Sequence, residues 1–184
     1  MCRFLFRATE REKQSIADNI IDFMNDTCDL SKEAAGFISN WVLTGPDEKT
    51  KAYFDIWNKI LDCYLPAERP ILFRSCPRVT HNPLQSFSGS MSAVEKFSKG
   101  RKGHIRVCDT KEYMSYLDFE KEPVYKRNFF PIYTLIKKDL DSSTPHFSHT
   151  FYGDYKGEDE YIVRVDLNYL YDLKWSKKRV RDKF

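Results

Sequence analysis

What most constrains the fold of this chain is a change of hydrophobic period between Pro66 and Pro70. Before it, apolar residues recur every three or four positions; after it, they fall in short runs bounded by Pro, Gly, Ser and Asn. The first period belongs to helices and the second to strands. Thr9 with Glu12 has the capping-box spacing, and Ile16, Ile20, Phe23 and Met24 then mark one helix face. Ser31 caps a second helix with Ala34, Ala35, Ile38, Trp41 and Val42 facing inward, stopped by Gly45-Pro46. A third starts near Asp47 and carries Tyr53, Trp57, Ile60, Leu61 and Tyr64. These stripes read as core rather than as a cofactor-binding face. Strands are expected at Ile71–Arg74, Ile105–Cys108, Phe129–Ile136 and Tyr161–Leu167, with short helices at Ala93–Ser98 and Lys111–Phe119. A polar-aromatic loop should run from Asp141 to Gly157, long enough to suggest a functional role. The expectation is an α+β chain: residues 1–66 a helical N-terminal subdomain, residues 67–184 a β-rich core, the two forming one compact unit.

Length and composition fit such a unit, since 184 residues with 41% hydrophobic and 31% charged side chains can bury a core, and the composition argues against wholesale disorder. The net charge of +3 does not demand a nucleic-acid partner. Positive charge is nevertheless concentrated at the end, in Lys174, Lys177, Lys178, Arg179, Arg181 and Lys183. That stretch reads as a solvated tail or as an electrostatic tether to a nucleic acid or an acidic surface. The five cysteines are scattered without C-x-x-C spacing, which points to reduced thiols in a cytoplasmic protein. No apolar stretch approaches the roughly 20 residues of a membrane span, and the start resembles no signal peptide, so no membrane partner is expected.

Three groups of residues could carry chemistry. Glu158-Asp159-Glu160 precedes the run Tyr161–Leu167. If extended, it would place Glu158 and Glu160 on one face, where two carboxylates can divide labour; an acidic turn kept in water is the alternative. Ser86-Phe87-Ser88-Gly89-Ser90-Met91-Ser92 leads into Ala93-Val94-Glu95-Lys96-Phe97. Its hydroxyls could cap a helix or hold a sugar, or form only a turn. Arg74, at the end of an apolar run, should meet an anion, either a phosphate or a structural carboxylate. His146 and His149 lack a third ligand, so no metal is expected. The absence of G-x-S-x-G, G-x-G-x-x-G and Walker-type loops leaves a serine hydrolase, a Rossmann fold and a P-loop ATPase without support.

Taken in order, Arg74, then Ser88-Gly89-Ser90, then Glu158-Asp159-Glu160 resemble the arginine–serine–glutamate pattern of mono-ADP-ribosyltransferases. With the helical opening and short chain, the likeness is greatest to the phage Alt- and Mod-type transferases, which modify host proteins. It covers residues 71–167, with a looser match in the helices. Ser88-Gly89-Ser90 stands where the family usually has S-T-S, and Ser75 where Gly is common. The last strands of the family's sheet should be short or missing.

The resemblance implies a split sheet with an NAD cleft in residues 67–184. NAD would be the substrate, a host or target protein would accept the ADP-ribose, and the location would be cytoplasmic (host cytoplasm if phage-encoded). By the same resemblance Arg74, Ser88, Ser90 and Phe97 would bind NAD, Arg74 gripping its phosphates and Ser88 steadying the ribose or the catalytic glutamate. Glu160 would serve the ribose and the cleaving bond. Glu158 would act on an arginine acceptor, whose guanidinium stays protonated in water. Phe147, Phe151, Tyr152 and Tyr155 would recognise the target or pack within their loop. Other readings are an NAD glycohydrolase, a nucleic-acid ADP-ribosyltransferase, or a catalytically silent binding protein.

Overall fold

The computed structural model describes residues 6–76, 84–98, 103–111 and 129–175. Thr9 starts the first helix, α1 (Glu10–Met24), through both bonds of a capping box: the Glu12 amide donates to Thr9 Oγ1 at 3.3 Å and the Thr9 amide to Glu12 Oε2 at 2.7 Å. Ser31 caps α2 (Lys32–Leu43), its hydroxyl accepting from the Ala34 amide. The Gly45-Pro46 stop begins a single 3-10 turn, Pro46–Glu48, before α3 (Lys51–Cys63). The expected stripes are largely the buried ones: Ile16, Ile20 and Phe23 on α1, Ala34, Ala35, Ile38 and Trp41 on α2, Tyr53, Trp57, Ile60 and Leu61 on α3, with Met24 and Val42 only half-buried against them. Lys13 joins α1 to α3 through Asp55 at 2.7 Å.

After Pro70 come β1 (Ile71–Cys76), β2 (Leu84–Ser88), α4 (Met91–Phe97) and β3 (His104–Asp109). Then follow β4 (Phe129–Pro131), α5 (Ile132–Leu140), α6 (His149–Tyr155), β5 (Glu160–Arg164) and β6 (Tyr171–Lys174). Among the described residues there are thus six α-helices and one six-stranded antiparallel sheet, ordered β4-β5-β2-β1-β3-β6. The expected split into two sheets differs from this pairing, yet the join is slender. β2 pairs with β5 from Leu84↔Arg164 to Ser88↔Glu160, and β1 with β3 over six positions. By contrast, among the described residues β1 meets β2 only at Phe73↔Ser88.

Strand alternation sends side chains into two cores. Leu84, Phe130 and Ile162 join the helices, with Trp57 and Phe130 rings 5.4 Å apart, whereas Phe87, Phe129 and Val163 face Leu72, Val165 and Leu170 on the other side. The helical part therefore shares one core with the β4-β5-β2 half of the sheet.

Several sequence expectations are corrected. The run read as a strand to Ile136 turns at Pro131 into α5, because Ile132, Tyr133, Leu135, Ile136 and Asp139 are buried together at helical spacing. The Asp141–Gly157 loop is largely ordered as α6, capped by Ser148, and a 3-10 turn, Lys156–Glu158. β2 and β6 had no counterpart among the expected strands. The helix expected at Lys111–Phe119 lies, beyond Lys111, outside the described residues, as does the basic tail after Lys174. No helix among the described residues is long and apolar enough to cross a membrane.

Candidate functional site

The last pair of the β2–β5 ladder, Ser88↔Glu160, brings the serine-rich turn against the acidic triplet. The Ser88 hydroxyl donates to the Glu158 carbonyl at 2.6 Å and accepts from the Ser90 amide at 3.0 Å, and the Gly89 amide donates to the Asp159 carbonyl at 3.1 Å. Ser90 supports the turn through its amide while its own hydroxyl pairs with Ser92 at 2.7 Å. The triplet is not extended as expected. Glu158 closes the 3-10 turn, Asp159 is left-handed at φ 44°, and Glu160 begins β5. The two glutamates are brought together by this kink, not by strand alternation.

Gly89 packs closely against the side chains of Asp159 and Tyr161. A Cβ there would collide with Asp159 Oδ2 and stand 3.2 Å from the Tyr161 ring, so the glycine and the aspartate fit as a pair. Because the colliding atom is the end of a side chain that can swing aside, Gly89→Ala is expected to destabilise the protein by only about 1 kcal/mol, the low end of overpacking. Asp159→Gly removes the carboxylate and suits the left-handed backbone, so the double variant should recover much of that loss. Strictly additive effects in a denaturant-unfolding cycle would show that the carboxylate is not the obstacle.

Arg74 enters where β1 and β2 part. Its Nη1 donates to the Ser86 carbonyl, while Nε is shut off from water and has no partner among the described residues. Burial lowers the guanidinium's pKa, with Cys76 and Glu160 pulling the other way. No carboxylate among the described residues lies within salt-bridge distance of it.

The helical layer completes the site. Trp41 Nε1 donates to Glu160 Oε1 at 3.2 Å, and Lys49 Nζ stands 3.4 Å above the Trp41 ring centroid. Burial brings the Lys49 pKa down to about 8, Glu160 and Glu158 partly opposing and Arg74 reinforcing the shift. Burial and then the Glu160 charge raise the Glu158 pKa, with Lys49 opposing. The Tyr133 phenol, buried and without a hydrogen-bond partner for its hydroxyl among the described residues, is likewise pushed up by burial and by the two glutamates. Trp41 was legible only as a core position, and nothing in its spacing signals the indole edge that emerges at Glu160. Lys49 and Tyr133 carry no motif at all.

Trp41, Lys49, Arg74, Ser88, Glu158 and Glu160 line one cavity of about 400 Å³, with Phe97, 57% exposed, at its edge; Tyr133 does not line it. That volume lies within the range of small-molecule sites, about 300–1,000 Å³. An Arg74 cation with no carboxylate in salt-bridge reach among the described residues suits a phosphate, and the two glutamates of the cavity suit a group that becomes positive. The four aromatics of the 141–157 segment do not line the cavity. Phe147 is buried in the helical core, Phe151 stacks on it at 5.6 Å and meets Tyr155 at 5.2 Å, and Tyr152 lies against Tyr133. His146 is engaged by the buried Asp139. Among the described residues no three His, Cys, Asp or Glu side chains gather as a metal site.

No family model, curated protein or solved structure matches this chain.

Proposed function

We propose that this protein takes NAD⁺ as substrate and transfers its ADP-ribose to an arginine of a target protein, releasing nicotinamide. One observation carries the reading: Arg74, Ser88, Glu158 and Glu160, as many as 86 residues apart in the chain, line a single cavity of substrate size. Arg74 supplies a desolvated, fork-shaped cation for a diphosphate. Glu160, held by the β2–β5 ladder and by the Trp41 indole, offers its carboxylate to the positive charge that grows on the ribose as the glycosidic bond breaks. Ser88 is a positioning residue, since its hydroxyl is engaged inside the protein and fixes the Glu158 backbone.

Glu158, with its pKa raised, is the group suited to orient the incoming guanidinium and receive its proton. The nucleophile is the guanidinium nitrogen, the leaving group is nicotinamide with the electrons of the broken bond, and the proton passes to Glu158.

The test is incubation with biotinylated NAD⁺ and a cell lysate, followed by mass spectrometry. The expected result is nicotinamide release together with ADP-ribose on arginines of a protein. Release without protein labelling would replace transfer by hydrolysis, and label sensitive to nuclease would point to a nucleic-acid acceptor. Neither turnover nor NAD⁺ binding would overturn the reading and leave a binding protein.

A further inference from the structure

The cavity already contains a cation supplied by the chain itself. Lys49 follows the 3-10 turn Pro46–Glu48 and precedes α3, and its ammonium reaches back over the face of Trp41. The ring under it is rigid. Trp41 is 3% exposed, meets Tyr53 and Trp57 edge-on at 5.9 and 5.5 Å, and is pinned at its Nε1 edge by Glu160. An indole face flanked by two carboxylates is an attractive place for a positive charge.

Lys49 fits that place loosely. Its ammonium has three donors, yet among the described residues it makes no hydrogen bond and no salt bridge, and it keeps its position through the ring and the longer-range charges of Glu158 and Glu160. Arg74, in the same cavity, repels it, and burial has brought its pKa down to about 8. Returning that ammonium to water recovers its solvation, so its removal costs little. A guanidinium has the opposite character: planar, permanently charged, weakly hydrated, stacking on aromatic faces and presenting a fork of donors to carboxylates.

We propose that Trp41, Glu158 and Glu160 form a recognition site for an alkylguanidinium side chain, and that Lys49 is its resident placeholder, displaced when such a side chain enters. The site would thereby select arginine over lysine in a target and stay closed to bulk cations between encounters. Only the identity of the incoming group as an ADP-ribose acceptor rests on the transferase reading; the binding site does not.

The experiment uses the whole chain without NAD⁺, titrated calorimetrically with arginine amide and, as the neutral isostere, citrulline amide. The tryptophan indole N–H resonances are followed in parallel. Lys49→Ala should tighten arginine amide binding by about three- to thirtyfold, the span expected for freeing one cation–π position. Lys49→Arg, which places a guanidinium in the site permanently, should weaken it below wild type. Citrulline amide should not bind, and one indole resonance should move with arginine amide alone. A purely structural Lys49 would not shift affinity in opposite directions for these two variants. Unchanged or weaker binding in Lys49→Ala, equal binding of the two amides, or no binding at all would overturn the proposal. Since NAD⁺ is absent, none of these results depends on turnover, and a protein without turnover could still pass.

Discussion

Glu160→Gln is expected to lower NAD⁺ cleavage and ADP-ribose transfer by about 10²- to 10³-fold while leaving the fold intact, a magnitude typical of losing one preorganised electrostatic contact in a catalytic site. The substitution is nearly isosteric and separates the charge of Glu160 from its structural contacts. The backbone pairing with Ser88 does not involve the side chain, and the amide oxygen of glutamine can still accept from Trp41 Nε1. What disappears is the negative charge facing the cavity. Removing it also removes a repulsive neighbour of Glu158 and an attractive neighbour of Lys49, so thermal stability should change little. Nicotinamide release measured on purified wild type and variant, with unfolding midpoints in parallel, checks both halves. Undiminished release would show that Glu160 is not the carboxylate serving the ribose. Lost release with a collapsed midpoint would mark it as a structural acceptor for Trp41.

How far the sequence revealed this site follows from what a linear pattern can carry. The helices were legible because each buries one stripe, and a stripe such as Tyr53, Trp57, Ile60 and Leu61 records its own period. Strand β2 was obscured because on its face toward the helices only Leu84 joins the core, while Ser86 and Ser88 line a cavity. The run Phe129–Ile136 misled for the opposite reason. It is apolar throughout, but Phe129 and Phe130 face opposite cores as a strand requires, while Ile132 onward is buried as a helix. The positions of Arg74, Ser88, Glu158 and Glu160 were legible as a motif, but the way they meet was not. The left-handed Asp159 and the glycine that makes room for its carboxylate depend on contacts 70 residues apart. Trp41 and Lys49 come from the helical layer, and their role is set by tertiary packing that no local pattern encodes.

Arg74→Met should separate stability from function most sharply. Arg74 is a cation taken out of water at the single-bridge junction of β1 and β2; its Nη1 donates to the Ser86 carbonyl and the Cys76 side chain stands beside it, while among the described residues Nε has no partner and no carboxylate lies within salt-bridge reach. Burying such a group opposes folding, and well-packed apolar replacements of buried ionic groups are often neutral or stabilising. Methionine conserves much of the stem's volume, so the variant's unfolding free energy should stay within about 1 kcal/mol of wild type or exceed it. NAD⁺ affinity should move the other way. Charge-assisted hydrogen bonds are worth about 1.5–3 kcal/mol each, so on the proposed NAD⁺ reading losing the guanidinium's contact with the diphosphate should weaken binding by at least about tenfold and toward a hundredfold. Arg74→Lys, which keeps a charge without the planar fork, should fall between. Denaturant unfolding and NAD⁺ titration on the same preparations decide the matter. Destabilisation by about 3 kcal/mol or more would identify Arg74 as a strut of the sheet junction. Unchanged NAD⁺ affinity would remove it from the binding site. The expected combination, a protein as stable as before that no longer holds its substrate, is the mark of a residue kept for binding at the expense of the fold.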